Sequence, residues 1–207
     1  MSSETLPPSL RAFLYAVPLY QMLTAVWGRQ PTAPLVVPSQ PPLWAYRLHL
    51  YNFRLWHTED AVRQPGAPAA FIATCKHRID ACNQQRHQQI EQLDAWCYAV
   101  LYGPERAVPD AAELHSETPA NLLDRLSILT LKVYYMGREA IRQDATAAHR
   151  HTCGQRLVVL CEQRADLAEC LTRLCRDLWS QRKRFKLYRQ FKMYNDPDLN
   201  PAIYRHR

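Results

Sequence analysis

The chain has 207 residues, of which 47% are hydrophobic and 22% charged, so it can bury one substantial core and does not have the composition of a disordered chain. Its five glycines cannot supply a glycine-rich phosphate loop or the many turns of an all-β sandwich. The formal charge is +7, but the excess is local: residues 173–207 hold ten Lys or Arg against three Asp or Glu, while residues 1–172 hold sixteen of each sign.

In chain order, residues 9–28 read as a short amphipathic helical segment. Pro18 breaks or kinks it, having no N–H to donate, and Gly28 stops it. Five prolines between Pro31 and Pro42 mark an extended linker. The organisation expected is therefore an N-terminal helix and linker over 1–44 and a helical domain over 45–207. Helical pattern runs from about Pro42 to Arg63, then from about Ala69 to Leu101, where Gly103-Pro104 ends it. Thr118 as N-cap and Pro119 in the first turn open a third helix that reaches about Asp144. A fourth runs from near Thr152 to about Met193, and the tail beyond Asn195-Asp196-Pro197 is irregular. No segment alternates apolar and polar residues over a strand's length. The fold class expected is all-α, a bundle of about four long helices with an extra N-terminal amphipathic helix and a basic C-terminal helix as its arm.

Seven cysteines without a C-x-x-C read as small core residues in a reducing compartment. With no basic signal-peptide start and no apolar run of transmembrane length, the expected location is cytoplasmic.

The informative charges are those on apolar faces. On the first long helix the stripe that holds Phe53 and Trp56 also holds His49, Asn52, Asp60 and Arg63, while Arg47, Tyr51, Arg54 and Thr58 lie opposite. On the second, Asn83 and Arg86 sit inside the stripe of Ile72, Cys75, Ile79, Cys82, Ile90, Leu93 and Cys97, with Asp80 and Asp94 flanking it. The third is apolar nearly all round, which makes it central and requires Asp124, Arg125 and Lys132 to be buried or to line something. Buried charges need partners. Two arrangements satisfy this: a register-fixing network, for example Arg86 with Asp60 or Asp124, or a polar intrabundle pocket for an anionic or metal-bound ligand.

Candidate chemistries follow from residue type. Arg86 and Lys132, with Arg63 or Arg125, suit a phosphate or carboxylate, and Asn52, Asn83 and Asp124 complete the ligand-binding set. His49 or His57 supplies general acid–base chemistry and Asp60 a carboxylate, making these three the catalytic candidates. His57 and Asp60, three apart, are also the metal candidates, with His49 or Glu59 as a further ligand, although the spacing matches no recognised ligand set. No cofactor is required by the sequence, and whether the chain is an enzyme stays open. In the arm, Arg182 to Lys192 interleaves basic residues with Phe185, Tyr188 and Phe191. Phe185, Tyr188 and Lys192 share one helical face, so packing is preferred to nucleic-acid binding, and peripheral membrane contact is an alternative use.

Several of these stretches resemble a known family. Leu48-His49-Leu50-Tyr51-Asn52-Phe53-Arg54-Leu55-Trp56-His57-Thr58-Glu59-Asp60 is similar to the signature of a bacterial family of uncharacterised proteins, domain of unknown function 4254. So are Arg78-Ile79-Asp80 through Asn83 and Arg86 to Asp94, Ser116-Glu117-Thr118-Pro119 with Asp124 to Leu129 and Lys132, and Tyr188 to Pro201. Where the family pattern often has Asn-Asp after the second-helix arginine, this chain has His87-Gln88. The resemblance implies a helical fold, no established activity, and a setting in cell-surface polysaccharide and glycosyltransferase pathways. The expected function is binding of a small anionic metabolite, a nucleotide sugar or sugar phosphate, in the intrabundle pocket. The alternatives are a non-enzymatic adaptor or scaffold for glycosyltransferases, and a metal-dependent helical hydrolase.

Overall fold

The computed structural model describes residues 5–30, 43–103, 106–189 and 198–201. Its elements are α1 (Pro8–Leu14), α2 (Ala16–Trp27), α3 (Leu43–Val62), α4 (Ala69–Leu101), β1 (Glu113–Leu114), α5 (Pro119–Ala140), α6 (Ala147–Trp179) and β2 (Lys183–Arg184). The fold is all-α. The two-residue strands β1 and β2 form a single parallel bridge, Glu113 opposite Lys183 and Leu114 opposite Arg184. The proline-rich linker expected between Pro31 and Pro42 lies outside the described residues.

Local chemistry sets most boundaries. The N-terminal segment breaks at Tyr15 rather than at Pro18 itself. The missing N–H and the ring of a proline disturb the carbonyl four residues earlier, here Leu14, so α1 ends there and Pro18 sits in the first turn of α2. The hydroxyl of Thr118 accepts a hydrogen bond from the Asn121 N–H (3.2 Å) at the start of α5, and that of Thr146 does the same for His149 (3.2 Å) at the start of α6. The start of α5 has a second anchor from another helix: Asp94 of α4 accepts the Ala120 N–H through Oδ1 at 3.0 Å.

The core joins every helix. Leu10, Phe13 and Tyr20 of α1 and α2 pack in one cluster with Leu48 of α3, Leu93 and Cys97 of α4, Leu123 and Leu126 of α5, and Leu171 and Leu178 of α6. A second cluster gathers Leu19, Leu23 and Trp27 of α2 around Tyr46, Phe53 and Leu131. The N-terminal segment is therefore part of the bundle's interior. Cys75, Cys97, Cys153 and Cys175 are buried, whereas Cys170 is exposed, and all seven cysteines are free.

Three expected bounds need correction. The fourth long helix begins at Ala147, where the Thr146 cap sets it, and not near Thr152. The third helix ends at Ala140, short of Asp144. The fourth, α6, stops at Trp179, so residues 182–189 of the basic arm are not helical, and the rest of the stretch to Met193 lies outside the described residues. Its end is a Schellman arrangement in which the Arg182 N–H reaches the Asp177 carbonyl (2.9 Å) and the Gln181 N–H reaches that of Leu178 (3.1 Å). Gln181 takes the left-handed conformation this turn needs, with φ 59°, a place more often filled by glycine. The chain then runs extended. Phe185 inserts into the core at 1% exposure, edge-on to Tyr98 with ring centroids 5.8 Å apart. Tyr188 is 76% exposed, so the expected shared face of Phe185, Tyr188 and Lys192 does not form, and Lys192 lies outside the described residues. The periodicity over 182–189 was a coincidence of spacing that one left-handed residue cancels.

Phe185 therefore carries the attachment of the arm. Phe185→Ala is expected to cost about 3–4 kcal/mol of unfolding free energy in denaturant titration and to make the basic residues after it more sensitive to trypsin. Unchanged stability and unchanged cleavage would show that the arm is held elsewhere.

Candidate functional site

His49 is fully buried where α2, α3 and α5 meet. Its ring lies against Tyr20 (centroids 4.3 Å, 12° between planes) and Trp27 (5.5 Å, 23°). Both nitrogens are used. Nε2 is 2.8 Å from the Thr24 hydroxyl and Nδ1 is 2.8 Å from the Ser127 hydroxyl. The neighbours fix the proton. Thr24 donates its hydroxyl hydrogen to the Tyr20 carbonyl at 2.7 Å, so its oxygen accepts from His49 Nε2–H. Nδ1 is then an acceptor and takes the Ser127 hydroxyl hydrogen. Ser127 in turn accepts from Asn52 Nδ2 (2.9 Å), which also donates to Asp124 Oδ1 (2.8 Å). Every donor along this chain meets an acceptor. Burial pushes the His49 pKa down to about 3, so the ring is neutral, as the arrangement requires.

Three of the sequence candidates, His49, Asn52 and Asp124, are thus brought together. The others are elsewhere, so the expected convergence of all of them on one intrabundle pocket is not seen. Lys132 is exposed. Arg125 is also exposed and lies 3.8 Å from Glu117. Neither is buried, because the flank of α5 that carries them faces a groove along α6 rather than the core. Asp60 is exposed near the end of α3, and His57 is exposed with its Nε2 2.8 Å from the Tyr135 hydroxyl. Glu59 and Arg63 pair with each other at 2.7 Å. Among the described residues, no group of three or more His, Cys, Asp or Glu is placed to hold a metal ion, so His57 and Asp60 gain no further protein ligand.

Arg86 forms neither of the ion pairs considered for it, with Asp60 or with Asp124. It is half-buried, its Nε is fully enclosed, and that atom has no hydrogen-bond partner. One turn along the same face of α4, buried Gln89 donates to the Gln85 carbonyl at 3.4 Å, but its Oε1 has no partner. Asn83, one turn in the other direction, is also half-buried. An unmet donor and an unmet acceptor therefore stand beside each other on an inward helix face.

Residue type and spacing alone assign no site role to Thr24, Ser127, Tyr135 or Asp94. Thr24 and Ser127 are small hydroxyl residues within apolar stripes, which is the only signal they carry. Asp94 was visible as a flanking charge on α4. Burial pushes its carboxyl up to about 6, although hydrogen bonds from Thr118 and Ala120 act the other way. It lines a cavity of about 320 Å³ with Ser116, Asn121, Tyr188 and Arg189, where it can exchange a proton near neutral pH.

The two perturbed groups act in opposite directions on stability. His49 is depressed from 6.5 to about 3, so its contribution is complete above pH 6.5 and declines as pH falls, by up to about 5 kcal/mol. Asp94 is raised from 3.8 to about 6, so its contribution is complete below pH 3.8 and is lost as pH rises through 6, by up to about 3 kcal/mol. Asp94→Asn removes the opposing term. Urea unfolding from pH 7 to 4 is expected to show a steeper loss on acidification for this variant than for the parent, while nitrogen NMR finds His49 neutral with its proton on Nε2 throughout. Superimposable pH profiles would contradict the Asp94 assignment.

No curated protein and no solved structure matches the chain. A family model described as Protein of unknown function (DUF4254) matches residues 43–187, which span α3 to the start of the arm and include every residue of the polar chain except Thr24 and Tyr20. With most of its length matched, the chain belongs to the DUF4254 family.

Proposed function

We propose that this protein binds a small anionic metabolite of the sugar phosphate or nucleotide sugar class, with Arg86 as the charge that recognises it. The observation that carries this reading is the unmet hydrogen bonding of α4. A guanidinium with an enclosed, unpartnered Nε is costly to keep, by about 1–3 kcal/mol, and among the described residues no carboxylate pairs with it to offset that cost. A phosphate or carboxylate would complete it in the bidentate geometry that arginine favours. The open Oε1 of Gln89 asks for a donor one turn away, which a hydroxyl next to the anionic group supplies. An acid on a polyol has both. Asn83 adds an amide on the same face, and the setting in polysaccharide pathways implied by the family resemblance is where such compounds are used. Among the described residues no helix is long and apolar enough to cross a membrane, and a cytoplasmic location, where such metabolites are made, fits this reading.

A second reading, an adaptor for glycosyltransferase-type partners, is favoured by the arm. Beyond the Phe185 anchor, Lys186, Leu187, Tyr188 and Arg189 are exposed, a basic and aromatic strip suited to a protein partner.

The two readings separate on one variant. Arg86→Met keeps the stem and removes the unmet charge. It is expected to raise the unfolding midpoint of the ligand-free protein and to abolish the thermal shift given by sugar phosphates and nucleotide sugars to the parent. A destabilised variant would mean that Arg86 has a structural partner. A parent that shifts with none of these compounds, while a glycosyltransferase co-purifies through the exposed strip, would replace the metabolite reading with the adaptor.

A further inference from the structure

A second concave region lies on the opposite flank of α5 from the core, along its contact with α6. A cavity of about 580 Å³ is walled by Trp56, Tyr135, Met136, Val159 and Leu160. Trp56 and Tyr135 stack at its back (centroids 5.1 Å, 11° between planes). It opens at one end into a cavity of about 500 Å³ that shares Lys132 and Gln163 with it. At the other end a cavity of about 520 Å³ shares Trp56, Tyr135 and Glu139. From Arg125 to Glu139 this groove follows α5 for about 20 Å, at about 1.5 Å per residue.

Its charges are not balanced. Lys132 and Arg156 line the central cavity, and among the described residues neither enters an ion pair. Glu139 also lines it, but is already held by Arg142 and His149, each at 2.9 Å. Asp166 shares one neighbouring cavity with Lys132, and Asp60 lines the other with Arg138 and Arg142, so the end cavities carry both signs and the uncompensated positive rim is that of the central one. An elongated apolar trough with two uncompensated cations at its rim calls for an occupant with an apolar chain and one anionic end. A predominantly apolar pocket of this size with a few charged groups is the usual form of a small-molecule site. Lysine and arginine stems can lie along such a chain while their charged ends meet its head.

We infer that the α5–α6 groove is a binding site for a single-chain anionic amphiphile, a phosphate or carboxylate on a long apolar chain, with Lys132 and Arg156 holding the head and Trp56, Tyr135, Met136, Val159 and Leu160 the chain. This site is separate from the α4 face of Arg86 and does not depend on it. The head charge gives selectivity and the trough gives affinity.

The test uses the full chain and three probes of equal chain length, dodecyl phosphate, dodecanol and dodecyltrimethylammonium, the two charged ones below their micelle concentrations and the alcohol below its solubility limit. Tryptophan fluorescence reads binding. The phosphate is expected to bind at least about tenfold more tightly than the cationic probe, with the alcohol between them, since charge-assisted contacts are worth more than neutral ones. Lys132→Glu with Arg156→Glu is expected to reverse the order of the two charged probes. Met136→Trp, which fills the trough, is expected to weaken all three. Both charges are exposed, so an unchanged unfolding midpoint in the double variant keeps the comparison valid. Equal binding of all three probes, or no binding, would overturn the proposal. So would a concentration-dependent dimer that the phosphate does not dissociate, because a second copy of the chain would then be the groove's occupant.

Discussion

A neutral histidine at the junction of three helices is the constraint from which the rest of the interior follows. Burying His49 between the rings of Tyr20 and Trp27 is tolerable only if both of its nitrogens are hydrogen-bonded. Thr24 and Ser127 meet that need from two other helices, and each has one orientation of its hydroxyl that works. The direction of every hydrogen bond from the Tyr20 carbonyl to Asp124 is therefore determined by the first. Sliding α2, α3 or α5 by one turn would leave several of these groups unmet at once. The chain fixes helix register more strictly than leucine packing alone, because apolar contacts of similar volume exchange at small cost and misplaced hydrogen bonds do not.

This closed chain also separates structure from chemistry in the protein. Both ring nitrogens of His49, the Ser127 hydroxyl and the side-chain N–H groups of Asn52 are engaged, so they have little left to offer a ligand. Groups with open valences lie to either side. On the α4 side stand Arg86 and Gln89, each with one enclosed atom lacking a partner. On the α6 side stand Lys132 and Arg156, exposed cations beside an apolar trough. The interior supplies rigid walls; one set of open valences is enclosed on the inward face of α4, and the other is displayed on the outer flanks of α5 and α6.

Charge behaves differently in each setting. Arg86 and Asp94 are both enclosed charges on α4, about two turns apart. Asp94 is hydrogen-bonded by Thr118 and Ala120 and is brought toward neutrality by burial. Arginine cannot lose its proton in this way, so its cost persists for as long as the group stays unpaired. That asymmetry makes an enclosed arginine a better sign of a ligand than an enclosed carboxylate.

Residue pattern alone specifies the helical class, the extents of α3 and α4, the Thr118 start of α5, and the presence of polar groups on inward faces. These follow from periodicity, capping and proline placement, which act within a few residues. It also marked His49, Asn52, Arg86 and Asp124 as out of place. It could not say that Asn52 and Asp124 join His49 through Ser127, that Lys132 faces outward, or that α6 ends at a left-handed Gln181 with Phe185 turned back into the core. Each of those depends on which helix lies opposite and at what height. Only the tertiary structure decided it, because a hydrogen bond between residues 49 and 127 is settled by packing geometry that local pattern does not encode.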